Sequence, residues 1–154
     1  TLTSISFAAS QTASSDANTL DDYEEGVFTV SSNANLSIAS DSNGGSYTKI
    51  GNRCYVSFTC GVNTVSGSNQ VFFTLPFTAA ANTSGTKDAE SVSIVGAYSV
   101  DLTSNAVQVY GKQEGGSANM YVYMDFDNAA NAILTNAGLS SSSFLSINHS
   151  FKTA

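Results

Sequence analysis

The chain has 154 residues, 42% of them apolar and only 11% charged, and its 12 acidic against 5 basic residues give a net charge of −7. A single domain of this length buries a core without staples. The acidic balance, with Lys49, Arg53, Lys87, Lys112 and Lys152 scattered along the chain, opposes a phosphate backbone and an anionic bilayer, and no apolar run approaches the ~20 residues that span one, so neither nucleic acid nor membrane insertion is expected.

Residues 1–19, "TLTSISFAASQTASSDANT", hold Leu2, Ile5 and Phe7 as their large apolar residues and carry no Lys or Arg. They read as an extended lead-in or anchoring segment ahead of a β domain over 20–154. Asp21, Asp22, Glu24 and Glu25 follow around Tyr23. From there the dominant period is two. Strands are expected at "GVFTV" (26–30), "ANLSIA" (34–39), "SYTKI" (46–50), "CYVSFTC" (54–60), "QVFFTL" (70–75), "VSIVGAY" (92–98), "AVQVYG" (106–111), "NMYVYMDF" (119–126) and "SFLSINHSF" (143–151). Between them lie turn sequences such as "SDSNGGS", "VSGSN" and "KQEGGSAN". This pattern predicts an all-β fold, an antiparallel β-sandwich or jelly-roll-like domain of about nine strands. Only "NAANAILTNAGL" (128–139) has room for a helix, and its Asn and Gly limit that to a turn or two. Cys54 and Cys60 fall on one face of one strand, about 20 Å apart at ~3.3 Å per residue. A disulfide needs Cα atoms about 4.4–6.8 Å apart, so both read as buried thiols.

Three blocks stand in order: "LDDYEEGVFT" (20–29), "YTKIG" (47–51) and "LPF" (75–77). Together they resemble the C-terminal domain of bacteriophage tail-fibre and tail-spike proteins. The likeness covers roughly residues 18–80, and Val27 and Val30 stand where that family has Thr and Pro. Both changes suit a strand. The resemblance implies a virion protein, a homotrimer and a structural role, and it attaches to a phage particle more firmly than to any one appendage.

The acidic cluster resembles chemistry only by density. Adjacent residues of an extended chain point to opposite faces, which does not suit an acid/base pair, and "DDYEEG" lacks the alternating oxygens of a calcium loop. It reads as a polar turn before the first strand, with Leu20 and Tyr23 packed inward and at least one acid paired with Lys49 or Arg53, in the same or a neighbouring subunit. In "MDFDN", Asp125 and Asp127 share a face with Tyr121 and Tyr123. That face reads as the solvent side of an edge strand or as a polar, aromatic surface for a glycan or a metal; Tyr98 and Tyr110 beside the loops are added as glycan contacts. His149 is the sole histidine and alternates with Leu145, Ile147 and Phe151, which makes it a core or trimer-axis residue. No catalytic residue, metal site or cofactor is expected.

The function expected is a trimeric tail-fibre or other appendage head, located in the virion and adhering to the host surface, with a surface glycan among its candidate partners. Residues 1–19 would attach it to other tail or capsid proteins. One alternative is a capsid decoration protein or head fibre held by the same segment. Alternatives of another class are a polysaccharide depolymerase, using carboxylates such as Asp101, Glu114 or Asp125 that converge across a subunit interface, and a monomeric carbohydrate-binding module.

Overall fold

The computed structural model describes residues 3, 4, 6, 22–83, 91–102, 106–127 and 129–154. Among the described residues eleven strands form: β1 (Tyr23–Thr29), β2 (Ser31–Ser32), β3 (Leu36–Ile38), β4 (Gly44–Ile50), β5 (Arg53–Val65), β6 (Phe72–Thr74), β7 (Ser91–Tyr98), β8 (Ala106–Gln113), β9 (Asn119–Phe126), β10 (Ala129–Ile133) and β11 (Phe144–Lys152). The two beyond the expected nine are β2 and β10. Neither carries an alternating signature: β2 is two serines, and β10 is the "AANAI" of the stretch with room for a helix. Pairing of Ala132 with Met124 and Ile133 with Tyr123 holds β10 extended against β9, and the helical content of that stretch shrinks to one 3-10 turn, Asn136–Gly138. Of the lead-in, all but residues 3, 4 and 6 lie outside the described residues.

Every strand pairing is antiparallel. The sheet runs in the order β1-β4-β5-β11-β7-β8-β9-β6-β2, with β10 added on β9 and β3 on β5. Its first and last members, β1 and β2, are separated in the chain by Val30 alone. The sheet therefore curls until its two ends come back together. The inner side of this curl is the core. Along β5 the alternation is strict: Cys54, Val56, Phe58, Cys60 and Val62 are all buried, while the residues between Arg53 and Thr59 that separate them are exposed.

The rings record the closure. Phe58 of β5 meets Phe28 of β1 edge-on at 5.9 Å and Phe73 of β6 at 5.6 Å. Phe73, Met120, Leu134, Leu145, Ile147 and Phe151 fill the rest of the interior and are nearly inaccessible to solvent. Burying side chains of this size contributes about 1.5–3 kcal/mol each. Gly45 on β4 is the close-approach position. A Cβ there would lie 2.5 Å from the Phe28 ring and 3.0 Å from Phe58 Cβ.

One end of the core is closed by polar groups. Asn33 and Asn136 donate to each other's side-chain oxygens at 3.0 and 3.2 Å, and their remaining hydrogens go to the carbonyls of Gln70 (2.8 Å) and Ser66 (3.0 Å). The Asn33 oxygen also accepts the Asn35 backbone N–H at 3.0 Å. Both side chains are buried, and a buried amide is tolerated when its donors and acceptors are matched in this way. The pair ties loops 103 residues apart in the chain.

Candidate binding face

Of the acidic cluster, Glu24 and Glu25 are strand and not turn. β1 pairs with β4 from Tyr23↔Ile50 onward, with Glu24 opposite Lys49. Asp22 immediately precedes it, and Asp21 lies outside the described residues. Phe28 and Val30 point to the core, so period two sends Glu24 and Gly26 to the same side and Tyr23, Glu25 and Val27 outward. Tyr23 therefore does not pack inward. Its hydroxyl donates to Glu25 at the surface, and this bond raises its pKa, followed by burial.

On the inward side the three sequence blocks meet at one corner. The Tyr47 ring lies over Gly26, where a Cβ would come within 2.6 Å of it. Its hydroxyl donates to the Glu24 carboxylate. That bond first, then burial, pushes the Tyr47 phenol up to about 12. Tyr47 also packs edge-on against Phe77 at 5.1 Å. Lys49 pairs with Asp22, and its ammonium sits 6.0 Å from the Phe77 ring centroid. Gly51 N–H closes the corner by donating to the Asp22 carbonyl at 2.7 Å. Arg53 stands opposite Ile50 and Lys152, on the outward side away from Glu24. Among the described residues no group of three or more His, Cys, Asp or Glu is placed to hold a metal ion.

Four of the five glycan candidates share the outer side of β8 and β9. Tyr110 and Tyr123 are cross-strand neighbours, stacked at 5.4 Å with planes 13° apart. Tyr110 is only 9% exposed, and its hydroxyl accepts from Asn131 Nδ2 at 2.5 Å. Burial pushes the Tyr123 phenol up. Tyr121 faces Lys112 on one side and Phe72 on the other, with the Phe72 ring at 5.5 Å. Asp125 lies opposite Gln108 and accepts the Phe126 backbone N–H at 3.1 Å. Tyr98, at the end of β7 opposite Phe144, is 72% exposed and belongs to a different part of the surface. β9 is not an edge strand: β8 covers one side, and β6 and β10 the other. Glu114, paired with Lys112 at the surface, follows β8 at the end opposite the Gln108–Asp125 pair. Six residues of strand hold Glu114 and Asp125 about 20 Å apart in the chain.

His149 lies in the core on β11, and its Nε2 is 3.0 Å from Ser91 Oγ and 3.2 Å from Gln113 Oε1. The Gln113 amide nitrogen donates to the Ser117 carbonyl at 2.8 Å, so its oxygen faces the imidazole and Nε2 carries the hydrogen. Nδ1 is buried with no hydrogen-bond partner among the described residues. The ring stacks on Phe151 at 5.5 Å, and burial pulls its pKa down to about 4. A neutral imidazole with one satisfied nitrogen is a packing element. Cys54 and Cys60 are free and buried, and burial pushes their thiols up to about 11 and about 12.

One concavity was not marked by the sequence reading. It is a groove of about 730 Å³ on the outer side of β4, β5, β11 and β7. Two rows run across the strands: Ser46–Ser57–Asn148 and Thr48–Tyr55–Ser150. Small polar residues at alternate positions of "SYT", "YVS" and "SINHS" are its trace in the sequence. That pattern is also what an ordinary solvent face looks like, and only the juxtaposition of strands gives it shape.

No family model matches the chain, and no curated protein does. Among solved structures, the fold is similar to the crystal structure of the Dettilon tailspike protein, with a TM-score of 0.67 and 18% identity. The likeness covers 86% of this chain and 24% of that one, so the chain spans about a quarter of that protein's length.

Proposed function

We propose that the chain is a structural domain of a bacteriophage virion appendage: the head of a homotrimeric tail fibre or tailspike, with a sandwich or jelly-roll-like build, that adheres to the host surface. The observation that carries this reading is the likeness of fold to a tailspike protein over most of the chain. The corner where Asp22, Glu24 and Gly26 meet Tyr47, Lys49 and Phe77 supports it. It gives the three blocks of the tail-fibre-like pattern one shared structural purpose.

Trimerisation suits the free edge of the sheet. Among the described residues β1 pairs only with β4, and Val27 on it is 86% exposed. An unprotected edge is a liability that association removes. Adhesion then works by avidity, with three weak contacts acting as one. Residues 1–19 attach the head to its neighbours on the tail or capsid. The role we propose is binding without catalysis; within one chain the ~20 Å between Glu114 and Asp125 exceeds the roughly 5–9.5 Å between the paired carboxylates of glycosidases.

The test has two arms. Sedimentation equilibrium of the purified chain is expected to give three times its mass of 15.9 kDa, and a monomer at micromolar concentration overturns the trimer. Labelled protein is expected to bind host cells and to compete with the intact phage for adsorption. Saturating protein that leaves adsorption unchanged overturns the adhesive role.

A further inference from the structure

We propose that the groove across β4, β5, β11 and β7 binds a neutral oligosaccharide, with Tyr55 stacking on a sugar ring and Ser57, Asn148 and Ser150 exchanging hydrogen bonds with its hydroxyls. This rests on the adhesive reading above and assigns that reading a site and a ligand class.

The volume of about 730 Å³ falls within the roughly 300–1,000 Å³ of ligand sites. The floor is built of hydroxyls and one amide. Ser46, Ser57 and Asn148 lie side by side on three adjacent strands, so their polar groups form a line across about 10 Å of sheet. Tyr55 rises beside that line, between Thr48 and Ser150, and is 52% exposed. Val92, 64% exposed, lines the β7 side. An aromatic face beside convergent hydroxyls suits a ring with an apolar face and polar edges.

The lining also decides against other occupants. No Asp, Glu, Lys or Arg lines the groove, and the core fold keeps His149 neutral. Arg53 and Lys152 stand one row beyond Tyr55 and Ser150 on the same side, and Lys112 stands opposite Val92, all outside the lining, so an acidic sugar would find no counter-charge among the groove's own groups. A second copy of the chain laid into the groove would strip water from a serine floor that it could not evenly re-pair, and each buried unpaired hydroxyl is unfavourable. A polyhydroxylated ligand replaces those waters group for group.

The probe is an array of neutral hexose and N-acetylhexosamine oligosaccharides, with sialylated and sulfated members alongside, followed by calorimetry with the best neutral member. Wild type is expected to bind neutral members. Tyr55→Ala and Asn148→Ala should each weaken binding about tenfold, while Val107→Ala, at an exposed position of β8 outside the groove lining, leaves it unchanged. Both groove side chains are exposed, and circular dichroism of each variant checks the fold. Binding of charged members only, binding of none, or full affinity in Tyr55→Ala overturns the proposal. So does dissociation of the oligomer in Tyr55→Ala, which would make the groove a subunit contact. Host-cell binding separates the two readings. Cells bound equally by wild type and Tyr55→Ala sink the groove and leave adhesion standing. Neutral sugar bound in the groove without cell binding keeps the groove and sinks adhesion.

Discussion

Acidification reads out the buried imidazole. His149 has its pKa pulled from 6.5 to about 4 by burial. The unfolded chain takes up this proton as pH falls below about 6.5, and the folded chain does so only near 4. Between those values the unfolded state binds more protons, so stability falls as pH falls. The contribution is fully present above about 6.5 and fully lost below about 4. At about 1.4 kcal/mol for each tenfold change in proton affinity, the whole loss is about 3 kcal/mol, of which about 2 kcal/mol is spent between pH 7 and pH 5. Ordinary carboxylates titrate near 4, so the upper part of this window isolates the histidine. The assay is urea unfolding followed by tyrosine fluorescence, since the chain has seven Tyr and no Trp, in wild type and His149→Gln. Wild type is expected to lose about 2 kcal/mol from pH 7 to 5. The variant, less stable at pH 7, is expected to lose little. A flat wild-type profile, or equal slopes in both proteins, would refute the reasoning.

Three further outcomes follow from named contacts. Asn136→Ala strands the Asn33 amide and the Ser66 carbonyl; the expected loss is about 2–3 kcal/mol, a fall in Tm of roughly 5–10 °C, and a change under about 2 °C would count against the network. Lys49→Glu removes the pair with Asp22 and sets a third acid beside Glu24. The side chains of Lys49 and Asp22 are 14% and 24% exposed, so the expected loss is about 1–2 kcal/mol and shrinks in high salt; unchanged denaturant midpoints would remove the corner as a stabilising contact. Cys54 and Cys60 should resist a thiol reagent at pH 8 until the chain unfolds, because buried thiols with raised pKa values hold little thiolate. Complete labelling of the native protein within minutes would contradict their burial.

The alternation of "CYVSFTC" was enough to place Cys54, Val56, Phe58 and Cys60 on one buried face and to keep the two thiols apart. It was enough because side-chain direction in a strand is a local property with a period of two. The same logic located the nine clear strands, the turns between them and the inward side of His149. Period two does not say which strand lies beside which. β9 looked like an edge because nothing local announces that β6, some fifty residues earlier, and the weakly patterned β10 both pair with it. The acidic stretch looked like a turn because its hydrogen-bond partners sit on β4, and once those are supplied the strand extends back to Tyr23 and turns that ring outward.

The sequence by itself determined the all-β class and the faces of its strong strands. Only the tertiary structure decided what those faces enclose. The Asn33–Asn136 amide pair, the Tyr47 ring over Gly26 and the serine floor beside Tyr55 all join residues far apart in the chain. Such partners are chosen by the closure of the curled sheet around a shared core, a global condition that no short window of sequence contains.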